Sequence, residues 1–367
     1  MLYATHAVVD LGAIAHNLRG IRRRVGDRAV LVAVKANGYG HGAERVSRFI
    51  EEEGLADWLG VATVPEGIAL RDAGVRLPIL KLSHAAEDEV DAALEAGITL
   101  TVVDAATVDQ VAARARPGTP VHLVLDTGMR RIGAEPEAAV ELARRIDGEG
   151  LDLQGVMTHL PISDEPRGVE FTRQQLARFR RAVGEVEDAR GPIPLVHSSN
   201  SGAVLGHDLT GMTMVRPGVM VYGYYPDPHA VHSIDLRPSM ELRSRVTFVK
   251  PIRAGETVGY GRTWAAPRDT WIATVPLGYG DGYSRLLSNR GRMSIRGRSY
   301  PVVGRVCMDQ TMLDLGPDAP EVEVGDEVVA MGAGALGVEE TAAAMDTIPY
   351  EVTCLVTSRV TRTYTGG

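Results

Sequence analysis

Cysteine is almost missing from this chain: Cys307 and Cys354 are the only two in 367 residues. That is too few for a disulfide framework, and their spacing matches no metal-binding pattern. A reducing cytoplasm and no metal centre are therefore expected. Lysine is nearly as scarce, with only Lys35, Lys81 and Lys250 against many arginines. No apolar run reaches the roughly 18–20 residues of a membrane span. Residues 1–10 lack the charged and apolar regions of a secretory signal. A net charge of −8 and the lack of a basic tail argue against general nucleic-acid binding. There is no zinc signature, P-loop, G-x-S-x-G elbow or low-complexity linker. What remains has the composition of a soluble globular protein, long enough for about two domains.

Two textures divide that length. Short apolar runs at 29–34, 57–62, 77–82, 98–103, 120–125, 153–158, 194–197 and 213–222 alternate with helix-like stretches. Strands alternating with helices imply a parallel sheet, and eight strands fit a (β/α)8 barrel of the TIM type. An open doubly wound sheet is the alternative. After about residue 237 helical patterns become rare, and β-like runs at 242–249, 271–276, 300–303, 310–315 and 326–331 are punctuated by Gly and Pro. The expected organisation is an α/β barrel over 1–237 and a mainly antiparallel β domain over 238–367. Residues 3–9 are also strand-like and are a candidate to pair with the β domain.

With lysine so scarce, one at the mouth of a buried strand stands out. The run 29–34 ends at Lys35, and the glycine-rich Ala36-Asn37-Gly38-Tyr39-Gly40-His41-Gly42 follows. An amine among apolar neighbours has a lowered pKa and can form a Schiff base with an aldehyde. The plain alternative is a lysine whose stem lies on apolar surface with its head in water. Lys81 competes for the role but lacks a glycine-rich turn after it. Convergence favours a site. If the runs are barrel strands, one rim carries Asp126-Thr127-Gly128-Met129-Arg130-Arg131, Thr158-His159, His197-Ser198-Ser199-Asn200-Ser201 and Arg216-Pro217-Gly218. This set suggests pyridoxal 5′-phosphate. Lys35 would meet the aldehyde, Ser201 and the Gly218 backbone the phosphate, and Arg216 the ring nitrogen.

On these words the chain resembles the alanine racemase family, pyridoxal-phosphate enzymes of fold type III, over nearly its whole length. Val258-Gly259-Tyr260-Gly261, Gly278-Tyr279-Gly280-Asp281-Gly282 and Gly304-Arg305-Val306-Cys307-Met308-Asp309-Gln310 carry the resemblance into the second domain. It implies a head-to-tail homodimer that racemises a small amino acid, L-alanine to D-alanine by default, with two bases. Lys35 would bond the cofactor and serve as one base. Tyr260, from the partner subunit, would be the other. Tyr39, Ser201, Gly218, Val219 and Tyr222 would surround the phosphate. Arg216 would face the pyridine nitrogen and Arg131 the phenolic oxygen, while His159 would link Tyr260 to Arg216. Tyr279 and Met308 would touch substrate from the partner. Two other functions remain open: a racemase of serine or of a specialised non-protein amino acid, and a non-catalytic pyridoxal-phosphate carrier. The β domain argues against the carrier, since barrel-only relatives lack it.

Two positions depart from the family pattern. Val124 stands where many members carry a lysine, often carbamylated, beside the phenolic-side arginine. A chloride or a nearby carboxylate would have to replace that partner, or Arg131 is left to grip the substrate carboxylate. Ser358 stands where a tyrosine commonly narrows the substrate pocket, which predicts relaxed specificity toward small polar amino acids.

Overall fold

The computed structural model describes residues 3–318 and 321–367. Its internal contacts divide the chain into two units, one of Ile14–Arg237 and one of Met1–Ala13 with Pro238–Gly367.

The first unit is the barrel. Its strands are β2 (Ala29–Ala33), β3 (Trp58–Val61), β4 (Ile79–His84), β5 (Ile98–Val102), β6 (Pro120–Val124), β7 (Asp152–Met157), β8 (Leu195–His197) and β9 (Met214–Val215); β1 belongs to the other unit. All pair in parallel, in the order β8-β7-β6-β5-β4-β3-β2-β9. From β2 to β8 each strand pairs with its sequence neighbour, and β9 returns to pair with β2, which is barrel and not doubly wound topology. Leu31, Trp58, Leu80, Val124, Met157 and Met214, one from each of six strands, form a buried cluster. Strands covered on both faces read as continuous apolar runs, so their sequences were recognisable.

Closure is incomplete in one place. Between β8 and β9 no ladder forms. Among the described residues two backbone bonds cross, from the Thr213 N–H to the Val196 carbonyl (2.9 Å) and from the Arg216 N–H to the Ser199 carbonyl (2.7 Å). The run 213–222 was expected as one strand, but only Met214 and Val215 are extended. Pro217 has no N–H for a ladder, and Val219–Tyr222 wind into a 3₁₀ turn.

The second unit begins with β1 (His6–Asp10). It continues with β10 (Met240–Arg245), β11 (Phe248–Ile252), β12 (Thr270–Val275), β13 (Arg292–Ile295), β14 (Arg298–Pro301), β15 (Thr311–Gly316), β16 (Glu327–Met331) and β17 (Thr361–Thr365). Six of these form a sheet in the order β14-β13-β16-β10-β1-β17, antiparallel except for the β1–β17 pair. A second, antiparallel sheet runs β11-β12-β15. The expected single run 242–249 is therefore two strands, β10 and β11, in different sheets. Among the described residues no helix is long and apolar enough to cross a membrane.

Candidate active site

Lys35 leaves β2 into a left-handed turn. Ala36, Asn37 and Gly38 have φ of 51°, 55° and 62° with ψ of 50°, 46° and 45°, and Tyr39 has φ of 52°. Only glycine takes this conformation freely. For the other three residues it costs about 1–2 kcal/mol each. Such strain persists only where the surroundings over-determine it. Here the Gly38 N–H donates to the Val34 carbonyl (2.7 Å) and the Gly42 N–H to the Asn37 carbonyl (2.9 Å). The Ala43 N–H donates to the Asn37 side chain (2.9 Å), and His41 Nδ1–H to the Tyr39 carbonyl (2.9 Å). A methyl on Gly38 would sit 3.2 Å from the Ala43 backbone. The glycine-rich word thus encodes a pinned turn that fixes where the amine leaves the strand.

Across the rim, Arg216 fills the incomplete seam. Its guanidinium donates from Nη1 to the His197 carbonyl (2.8 Å) and from Nη2 to the carbonyls of Thr158 (2.7 Å) and Ser198 (3.4 Å). Nη1 also donates to His197 Nδ1 at 2.9 Å. Arginine can only donate, so His197 Nδ1 accepts and its proton lies on Nε2. That Nε2–H donates to His122 Nδ1 (2.9 Å), which leaves the His122 proton on Nε2, facing Gln154 Oε1 at 3.4 Å. One arginine therefore dictates two tautomers in a buried chain. Gly155 makes room for it, since a Cβ there would lie 2.6 Å from His122 Nδ1. Burial, then Arg216, pushes His197 well below its usual pKa. Burial pushes His122 down to about 4, so both are neutral near pH 7. Burial, and then Arg131, lower Arg216 to about 10, still charged.

His159 sits among cations. Its desolvated setting, then Arg216, Arg131 and Lys35, push its pKa down to about 3. Nη2 of Arg216 approaches its Nδ1 at 3.5 Å, which leaves the His159 proton on Nε2. Arg131 makes no ion pair with any described carboxylate, so none replaces the partner missing at Val124. Its loop is set by the Asp126 N–H on the Ala134 carbonyl (2.7 Å) and the Ala134 N–H on the Val124 carbonyl (3.0 Å). Lys35, Arg131 and Arg216 thus raise one rim to a positive potential around a neutral imidazole, a setting for an anion. Lys81, the rival lysine, is buried and donates to the His84 carbonyl (2.7 Å) and to Ser83 (3.3 Å).

A cradle lies beside these groups. Asn200 caps the helix Ser201–Gly206 by accepting the Ala203 N–H. Ser201 Oγ accepts the Gly218 N–H (3.0 Å) and keeps its own proton to donate. The Val219 N–H has no acceptor among the described residues. Tyr39 lies against Gly218 so closely that a Cβ on the glycine would be 2.6 Å from the phenol oxygen. Tyr222 is fully buried and donates to the Ala33 carbonyl (3.0 Å), which makes it a strut under the strand that ends at Lys35.

In the other unit three loops converge. The Tyr279 and Gly280 N–H groups donate to the carbonyls of Cys307 (3.0 Å) and Met308 (2.9 Å), and the Thr357 N–H donates to the Asp281 carbonyl (3.1 Å). Asp281 has no exposed surface. Its carboxylate accepts the Tyr3 hydroxyl (3.0 Å) and the Gly278 N–H (3.0 Å) and faces Arg359 at 3.5 Å. This anchor gathers Tyr279, Met308 and Ser358. Tyr279 and Met308 stay 42% and 53% exposed, and Tyr260, on its own glycine-flanked turn, 73%. The sequence reading missed His122, Gln154 and the anchoring role of Asp281. A histidine within an apolar strand gives no signal until the strands are paired.

Known proteins agree with this architecture. Residues 9–226 match the family model "Alanine racemase, N-terminal domain", and 239–364 match "Alanine racemase, C-terminal domain". The alanine racemase of Cutibacterium acnes is 53% identical over 369 residues, covering 99% of this chain and 98% of its own. That of Desulforamulus reducens is 43% identical, covering 98% of each. Among solved structures, alanine racemase of Clostridium difficile 630 superposes with a TM-score of 0.93 at 34% identity, covering 100% of this chain and 96% of its own. The enzyme from D-cycloserine-producing Streptomyces lavendulae gives 0.92 at 34% identity, with 100% and 98% covered.

Proposed function

This chain belongs to the alanine racemase family, and we propose that it interconverts L- and D-alanine with pyridoxal 5′-phosphate, at a site completed by a second copy of itself. The observation that carries the reading is the rim of Lys35, Arg131 and Arg216 around a neutral His159, with no described carboxylate paired to Arg131 or Arg216.

The residues present fit that cofactor. Ser201 O–H, the Val219 N–H and Tyr39 would hold its phosphate, and the missing Cβ of Gly218 lets the Tyr39 phenol lie against the cradle. The Nη atoms of Arg216 are spent on the seam, while its Nε–H has no acceptor among the described residues and is available to the ring nitrogen. Arginine keeps its proton, so Arg216 would polarise such a ring without protonating it. The cofactor supplies an aldehyde for the Lys35 amine and a ring that accepts electron density from Cα. Everything else is proton handling. Lys35 serves one face of Cα. Tyr260 of a second copy serves the other, so inversion needs no rotation of a planar carbon. A phenol of pKa about 10 is a poor base unless its anion is stabilised. The Nε2–H of His159, backed by Arg216, would supply that hydrogen bond. The large exposure of Tyr260, Tyr279 and Met308 supports their burial against another chain. A cytoplasmic setting fits Cys307 and Cys354, which form no disulfide.

Incubation with L-alanine in deuterium oxide is expected to give D-alanine labelled at Cα. A protein that took up pyridoxal phosphate and yet left Cα unlabelled and uninverted would sink the reading in favour of a carrier. Serine is the second substrate to test, because Ser358 is an exposed, small side chain beside the Tyr279–Met308 loops. Ser358→Tyr is expected to raise the alanine-to-serine ratio of kcat/KM about tenfold by restoring bulk. An unchanged ratio would mean that neighbouring side chains already fill the space.

A further inference from the structure

Glu66 belongs to the helix Val64–Asp72 that follows β3, and it stands thirty residues from the lysine turn in sequence. One carboxylate oxygen accepts the Ala36 N–H at 2.7 Å. The other accepts the N–H groups of Ala62 (2.8 Å) and Thr63 (3.2 Å). Glu66 also closes a capping box with Thr63, whose hydroxyl accepts the Glu66 N–H at 3.3 Å. The cap alone accounts for one oxygen. The second oxygen leaves the helix and reaches the first left-handed residue after Lys35. No other polar side-chain bond holds Ala36 among the described residues.

We propose that Glu66 is a positioning residue for Lys35. It rests on the reading of Lys35 as the amine that bonds the cofactor. By fixing the Ala36 amide, the carboxylate keeps the chain turning left-handed immediately after the lysine and so fixes where the amine projects from the rim. The group has to be a carboxylate. Three N–H donors from two separate loops need an acceptor with two oxygens and no proton. Glutamine offers one oxygen, and its NH2 would face N–H groups at the other end, so it can serve the cap or the lysine turn but not both. The same side chain therefore ties the end of β3 to the end of β2 at the position where the strained turn begins.

The test separates positioning from helix capping. Glu66→Ala, Glu66→Gln and Thr63→Ala would be prepared in the full chain. Thr63→Ala breaks the same cap from its other side and leaves the carboxylate on Ala36. Three readouts apply: the unfolding temperature of the cofactor-free protein, hydrogen exchange of the peptide spanning 35–42, and the rate at which absorption at about 420 nm grows after pyridoxal phosphate is added. All three variants are expected to lower the unfolding temperature. Only the Glu66 variants should raise exchange in 35–42, and they should slow cofactor capture at least about tenfold, as misplacement of a reacting group does. The pH profile of capture should also move in them and stay put in Thr63→Ala. Equal slowing in Thr63→Ala, or unchanged exchange in Glu66→Ala, would overturn the proposal. Lys35→Ala is the further control. If it still developed the band, the reading of Lys35 itself would fail, and that outcome is distinct from a failure confined to Glu66.

Discussion

Lys35→Ala and Tyr260→Phe, each inactive when prepared alone, are expected to regain activity when mixed and allowed to exchange subunits. Each change removes one of two bases, and a positioned acid or base is worth about a hundredfold to ten-thousandfold. In a homodimer whose sites combine Lys35 of one chain with Tyr260 of the other, a hybrid holds one doubly damaged site and one intact site. Random pairing makes half of the dimers hybrid, so recovery should approach roughly a quarter of the wild-type rate. The physical basis is the contrast between the two residues. Lys35 lies in a pinned turn at the barrel rim, while Tyr260 is 73% exposed on its own unit. Distinct affinity tags would verify the exchange. Tagged hybrids with no activity would show that one chain supplies both bases, or that Tyr260 is not one of them.

The second large effect concerns Arg216. Arg216→Met should abolish racemisation, because both the donor to the ring nitrogen and the support for His159 disappear. It should also weaken the empty barrel. The variant leaves the carbonyls of Thr158 and Ser198, and Nδ1 of His197, without their donor, while the His197 carbonyl keeps the Thr158 N–H (3.2 Å). A buried group stripped of its partner costs about 1–3 kcal/mol, so three of them cost about 3–9, near 6 at the middle of the range. Removing a buried charge relieves part of this, roughly 3 kcal/mol for a guanidinium held down to about 10. At the middle of that range the loss exceeds the relief, and the net destabilisation is on the order of 3 kcal/mol. Urea unfolding of the cofactor-free protein measures it. An unchanged midpoint would mean that water replaces the guanidinium at the seam, and that Arg216 serves the reaction alone.

How much of this was legible depended on which physical signal each part leaves in the chain. The barrel strands announce themselves because both faces are covered, so Val30-Leu31-Val32-Ala33-Val34 or Val121-His122-Leu123-Val124 read as apolar blocks. Strands of the other unit carry polar residues within them, buried or not. β13 reads Arg-Met-Ser-Ile and β17 Thr-Arg-Thr-Tyr-Thr, and neither was expected, because charge and hydroxyl on alternate positions blur into loop. The site residues at strand ends were legible through their convergence on one rim. Their supports were not. His122 reaches Arg216 through His197, and Glu66 reaches Ala36 from the end of the neighbouring strand. Such partners are set by which strands are neighbours, a relation that no local spacing encodes. The left-handed turn was hidden for another reason. Glycines signal freedom, yet here Ala36, Asn37 and Tyr39 share the conformation and their neighbours lock it.

The placement of β1 has a consequence for the order in which this protein is made. Its neighbours in the six-stranded sheet are β10 and β17, and the Thr363 hydroxyl bonds to the Ala7 carbonyl across 356 residues of chain. As the chain leaves the ribosome, every strand of the barrel is available once residue 215 has emerged. β1 is made first and must wait for almost everything else. Loop closure over such a distance is slow, so the barrel can fold as a unit during synthesis while the second unit cannot. The turn that holds Lys35, the base proposed for one face, is thus ready early. The surface that carries Tyr260 is finished last, when β17 docks alongside a strand that emerged at the beginning.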